Sequence, residues 1–183
     1  MNLSETLNKI KNYTRENLEL QKCHHFLFNL PLDKTSIKAD VLVIGLNPGE
    51  WDSDRNDGIK TPTEETHEFD FHEELGKGRA SIPWSKDCKK YLPDSKIFQS
   101  EFFFWSSANT NDEFINRFGY SFKDCPHFDF CKECNLELIR FHKPKLIVAT
   151  GTSWVDLFSD KYDLRHIKTL GCESHEKHRK IIH

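Results

Sequence analysis

The chain reads as an α/β protein, a three-layer α/β/α domain with a central, mainly parallel sheet, and three observations predict it. Val41-Leu42-Val43-Ile44 is apolar without the alternation of a half-solvated strand, so it reads as a strand buried on both faces. Lys145-Leu146-Ile147-Val148-Ala149 repeats that signature and is closed by Thr150-Gly151. Segments of helical period lie before and between the runs, and alternation of strand with helix is the pattern of a parallel sheet covered by helices.

Taken in chain order, the elements begin with a helix. Ser4 can cap it, and Leu7, Ile10, Leu18 and Leu20 are loosely spaced for packing on something larger. The first buried strand stops at Gly45. Residues 52 to 94 are polar and irregular, with Pro62, Pro83, Pro93, Gly58, Gly76 and Gly78 and an acidic series through Glu64, Glu65, Glu68, Asp70, Glu73 and Glu74. They read as one long excursion, with a short helix over residues 68 to 75, rather than as a linker between domains. Phe102-Phe103-Phe104-Trp105 is the third strand, ending in Ser106-Ser107-Ala108-Asn109. Cys131, Cys134, Leu138 and Phe141 share one helical face and lead through Pro144 into the strand at 145 to 149. Each of these strands ends in turn-forming or polar residues, and an open α/β sheet gathers ligands at the carboxyl ends of its strands.

Bulk properties narrow the function classes. A chain of 183 residues suits a single domain, expected to run over 1–183 as a monomer. Charged residues are 30% and net charge is −3 with ten histidines uncounted, so no uniform basic field points to nucleic acid, although a local patch can still bind phosphates. There is neither a secretory leader pattern nor an apolar run long enough to span a membrane. Six cysteines are then expected reduced in a cytoplasm.

The chemistry concentrates in Gly45-Leu46-Asn47-Pro48-Gly49. Asn-Pro-Gly is an ordinary turn sequence, so Asn47 reads either as a turn residue or as a catalytic amide. Directly after a buried strand, the five residues resemble the first motif of the uracil-DNA glycosylase superfamily, and in particular its Gly-x-Asn-Pro-Gly branches, the mismatch-specific and single-strand-selective enzymes. The downstream order is similar too: a middle strand with a polar end, then Cys134-Asn135-Leu136 leading into HKPKLIVATG. The resemblance covers roughly residues 38 to 183, with residues 52 to 94 loosely matched.

The resemblance implies a hydrolase of base excision repair that acts on DNA damage. A flipped uracil or related damaged base leaves DNA as an anion, and Asn47, which cannot titrate, orients the attacking water. Gly45, Leu46, Pro48 and Gly49 form the backbone that approaches the nucleotide, while Ser106, Ser107 or Asn109 reads the base edge, with the choice among them open. Trp51, Phe69, Phe71 and Trp84 are in reach of a stacking role, with none singled out. The family's second motif places a histidine against the departing base, and His183 at the end of His178-Arg179-Lys180-Ile181-Ile182-His183 is the residue that resembles it, with His175 or His178 the fallback. The motif's later residues have no counterpart after His183, so weak activity is expected of these 183 residues.

No cofactor is required by that mechanism. One branch of the family holds an iron-sulfur cluster on four cysteines, and Cys134 stands where one of them does, but only Cys23, followed by His24 and His25, stands near the amino terminus. Cys125, His127, Cys131 and Cys134 have non-standard zinc spacing, and Cys131 and Cys134 read better as small apolar residues, so no metal is expected. The alternative of another class is a catalytically inactive relative that binds nucleic acid or a protein partner through the same strand ends. A further one is an unrelated nucleotide-binding enzyme.

Overall fold

In a computed structural model, residues 3–28, 38–50, 52–66, 91–107, 111–149, 159, 160, 162, 166–172 and 175–182 are described. Helix α1, Leu3–Glu16, comes first and is followed by strand β1, His25–Phe28. Strand β2, Val41–Gly45, precedes a short helix α2, Asp52–Asp57, and a three-residue strand β3, Glu64–Thr66. Strand β4, Ile97–Glu101, is followed by helices α3, Asn111–Phe118, and α4, Phe128–His142. Strands β5, Leu146–Ala149, β6, His166–Cys172, and β7, His175–Ile182, complete the order.

Among the described residues the main sheet has the order β4-β2-β5-β7-β6, with β2 parallel to both β4 and β5. The chain is therefore α/β, built on an open three-stranded parallel sheet. The β6–β7 pair is antiparallel, and β7 runs antiparallel to β5, so the whole sheet is mixed rather than mainly parallel. The short step from Cys172 to His175 permits only that direction, because parallel neighbours need a long crossover. β1 and β3 form a separate parallel pair.

The central strands have apolar faces on both sides, which explains the absence of alternation in their sequence. Leu42, Ile44, Phe98, Ile147 and Ala149 belong to the larger core with Ile10, Leu20, Phe128, Cys131 and Leu138, so α1 and α4 cover this face. Val41, Val43 and Ile97 form a smaller core on the other face, against which Leu92, Leu146 and Val148 pack. Thr6, Ile10 and Thr14, spaced by four, are the fully packed stripe of α1. A Thr6 hydroxyl bond to Glu137 (2.8 Å) and a Lys9–Glu137 ion pair (2.5 Å) join α1 to α4.

Helix α4 ends because Lys143 takes a left-handed conformation (φ 49°), donating to Ile139 O at 2.8 Å, and Pro144 then offers no N–H. Helix, proline and strand thus stand as expected. Other boundaries shift. α1 starts at Leu3, so Ser4 lies inside its first turn, and α1 stops at Glu16, which leaves Leu18 exposed and puts Leu20 in a short 3₁₀ turn. β4 lies just before the aromatic run that was expected to form it. Phe102, Phe103, Phe104 and Trp105 are fully buried, yet they serve the core beyond the strand, where the Trp105 indole N–H donates to Thr14 Oγ1 at 2.9 Å. The helix expected over 68 to 75 lies outside the described residues.

Candidate active site

Because β2, β4 and β5 are parallel, their carboxyl ends share one edge. Gly45 and Glu101 are partners there, and the ladder runs on through Phe102 N–H to Gly45 O (2.8 Å) and Phe103 N–H to Leu46 O (2.9 Å). That continuation holds the Leu46-Asn47-Pro48 turn against the segment after β4.

Half-buried Asn47 closes the arrangement. Its Nδ2 donates to Ser107 O at 2.8 Å and to Pro48 O at 2.9 Å. Only the nitrogen of an amide can donate to two carbonyls, so this pair of bonds sets which way the group points. Oδ1 is left as an acceptor with no hydrogen bond among the described residues. The structure thus brings Asn47 and Ser107 together across the edge. The two readings of Asn47 are compatible, since the bonds that tie the turn also orient the amide.

Ser106 and Ser107 are both buried. Ser106 is held by His24 twice: His24 N–H donates to its Oγ (3.0 Å), and its own N–H donates to His24 O (2.7 Å). His24 is itself fixed, with Nδ1 accepting from Thr63 N–H (3.0 Å) and Nε2 lying 3.2 Å from Asp54 Oδ2. An Nδ1 that accepts leaves the ring proton on Nε2, facing the carboxylate. Arg117 reaches Ser106 O at 3.5 Å and pairs with Glu50, whose side chain is fully buried directly after the turn. Asn109 and His183 lie outside the described residues, as do Trp51, Phe69, Phe71 and Trp84. The antiparallel course of β7 pairs Ile182 with Ile147 and Lys180 with Ala149. Residues before Lys180, with His178 and His175, therefore run past the carboxyl edge, whereas Ile182 is toward the amino edge.

The two glycines of the turn differ. A Cβ on Gly45 would collide with the Glu101 carboxyl, whose Cδ is 2.9 Å from that position, whereas one on Gly49 would meet nothing within 4 Å. Gly45 is required for close approach, and the exposed Gly49 borders open space.

Cys23, Cys125, Cys131 and Cys134 are buried free thiols. Burial pushes Cys23 and Cys134 up to about 12 and Cys131 higher than its ordinary range, so these sulfurs are protonated and unreactive. Among the described residues no group of three or more His, Cys, Asp or Glu is arranged to hold a metal ion.

Glu50, Glu101, His24 and Arg117 were not singled out by sequence. Glu101 carried one legible signal, a charge inside the run IFQSEFFFW; the other three depend on contacts between distant segments. Fold and edge together define an α/β protein with an oriented amide at the carboxyl edge of a parallel sheet. Compared with known proteins, the chain matches no family model, no curated protein and no solved structure.

Proposed function

We propose that the chain is a monofunctional DNA glycosylase of the uracil-DNA glycosylase type, a three-layer domain acting as a monomer in the cytoplasm. It hydrolyses the N-glycosidic bond of uracil or a related damaged base. The observation that carries this reading is Asn47, whose two amide hydrogens are spent on Ser107 O and Pro48 O and whose Oδ1 remains to accept from water. Water donating to Oδ1 turns a lone pair toward the anomeric carbon. As the C–N bond breaks, its electron pair leaves with the base and the water oxygen bonds to the sugar, which is oxocarbenium-like in between. One water proton goes to solvent or to the base, and the products are an abasic site and free base. A charge that develops this way needs a donor near the base. His178 or His175 takes that role, because β7 passes the carboxyl edge at those residues and runs toward the amino edge by Ile182.

The test is cleavage of single-stranded and duplex oligonucleotides that contain uracil, hypoxanthine, xanthine or mismatched thymine, followed by alkali. Strand fragments that disappear with Asn47→Ala are expected. No fragment from any substrate overturns the reading, and DNA binding retained in that case points to an inactive relative.

A further inference from the structure

Glu101 is a carboxyl group where the fold has no evident use for one. It is 7% exposed, it ends β4 at the carboxyl edge, and its Oε2 is closed to solvent with no hydrogen-bond partner among the described residues. Along β4 the side chains alternate. Ser100 faces α4 and donates to Asn135 Oδ1 at 2.8 Å, whereas Glu101 shares the opposite face with Ile97 and Gln99. Room for the carboxyl exists only because its strand partner, two residues before Asn47, is Gly45. The nearby Gly45 carbonyl already accepts from Phe102 N–H.

An unpaired polar atom in such a place is costly unless something satisfies it in the working state. The groups that act on Glu101 are burial itself, which pushes it up to about 8, and the Gln99 side chain, which draws it down. No charged side chain among the described residues enters that balance. At neutral pH the group is a neutral acid, and a neutral acid with an orphan oxygen is a hydrogen-bond donor in search of an acceptor.

We propose that Glu101 is a specificity residue that selects oxo bases: its carboxyl O–H donates to a ring carbonyl of the flipped base. Uracil or hypoxanthine presents that acceptor. Cytosine or adenine, which present an amino group there, leave two donors face to face. The ionised carboxylate reverses the preference, because it accepts and cannot donate. This inference rests on the glycosylase reading and supplies the part of base selection that Ser106 does not, since His24 already engages the Ser106 hydroxyl oxygen.

The experiment measures binding of single-stranded oligonucleotides carrying 2′-fluoroarabinouridine or 2′-fluoroarabinocytidine, which resist cleavage. Wild type, Glu101→Gln and Glu101→Leu are compared at pH 6 and pH 9.5, with thermal melts verifying folding. Excision of ordinary uracil is followed in parallel. Wild type is expected to prefer uracil at pH 6 and to lose at least roughly tenfold of that preference at pH 9.5. Glu101→Gln, isosteric with the neutral acid, loses with pH only what ionisation of the uracil ring N–H itself costs, a loss common to all three proteins, and Glu101→Leu has little preference at either pH. A wild-type preference that falls at pH 9.5 no more than that of Glu101→Gln and is shared by folded Glu101→Leu overturns the assignment while excision leaves the glycosylase reading standing. Neither excision nor any preference over undamaged DNA overturns both.

Discussion

At the scale of single residues, the amide of Asn47 and the missing side chain of Gly45 make opposite demands. Asn47 contributes by what it donates. Asn47→Ala removes two bonds to backbone carbonyls and should lower stability by about 1–2 kcal/mol; under the proposed glycosylase function it should also abolish most of the single-turnover excision rate. Asn47→Asp should be less stable than Asn47→Ala at neutral pH, because a carboxylate placed against Ser107 O and Pro48 O sets negative oxygen against two carbonyls. Urea melts of the two variants check the order, and an aspartate variant as stable as wild type would show that the amide is not held by these bonds. Gly45 contributes by what it lacks. Gly45→Ala should fold, since the colliding atoms are the free end of a flexible side chain, at about 1–2 kcal/mol below wild type. Combining it with Glu101→Ala should recover part of that loss in a double-mutant cycle.

At the scale of elements, the edge is held in place by helix α4. Buried Asn135 accepts from the Ser100 hydroxyl and donates through Nδ2 to Glu101 O at 3.0 Å, so one side chain satisfies the last two residues of β4. Asn135→Ala leaves a buried hydroxyl and a carbonyl unpaired together, and a loss of about 2–3 kcal/mol in chemical denaturation is expected. Ser100→Ala in that background should cost much less than in wild type, because the partner it would abandon is already gone; equal losses would mean that the two act independently. Such a pairing was not legible beforehand. IFQSE has polar side chains on both faces and reads poorly as a buried strand, whereas the adjoining aromatic run reads well. The choice between them was made by register with β2 and by the reach of α4, which put the aromatic side chains into the core beyond the strand.

At the scale of the whole molecule, two buried groups pull its stability in opposite directions with pH. The Glu101 carboxyl, pushed by burial from its ordinary 4.5 up to about 8, keeps its proton in the folded chain after the unfolded chain has lost it. Its contribution is therefore complete below pH 4.5 and is lost as pH rises to 8. Burial moves His142 from its ordinary 6.5 down to about 4, with Lys38 adding to the effect, and its Nδ1 accepts from Ala39 N–H at 3.1 Å. That contribution is complete above pH 6.5 and is lost as pH falls to 4. The two slopes oppose each other between pH 4.5 and 6.5, so this pair favours a stability maximum there and a decline from 6.5 to 8. Glu101→Gln should remove the decline on the alkaline side and, with the opposing slope gone, let stability rise with pH from 4 up to 6.5, as read from denaturant midpoints between pH 4 and 8.5. A decline that persists in the variant would assign it to other groups.

The sequence by itself determined the features that are local or doubly buried: the run at β2 that stops at Gly45, the helix, proline and strand from α4 to β5, and an amide placed where parallel strands end. Their signals lie within a few neighbouring residues, and burial on both faces writes itself as an unbroken apolar run. Tertiary structure decided the rest. The acceptors of the Asn47 amide, the collision that reserves Gly45 for a carboxyl, the clasp of Asn135 on β4 and the reversal of β7 against β5 all join segments far apart in the chain. Each depends on strand register and helix placement, which composition and periodicity do not encode, because the same pattern of apolar and polar residues satisfies more than one register until the packed core excludes all but one.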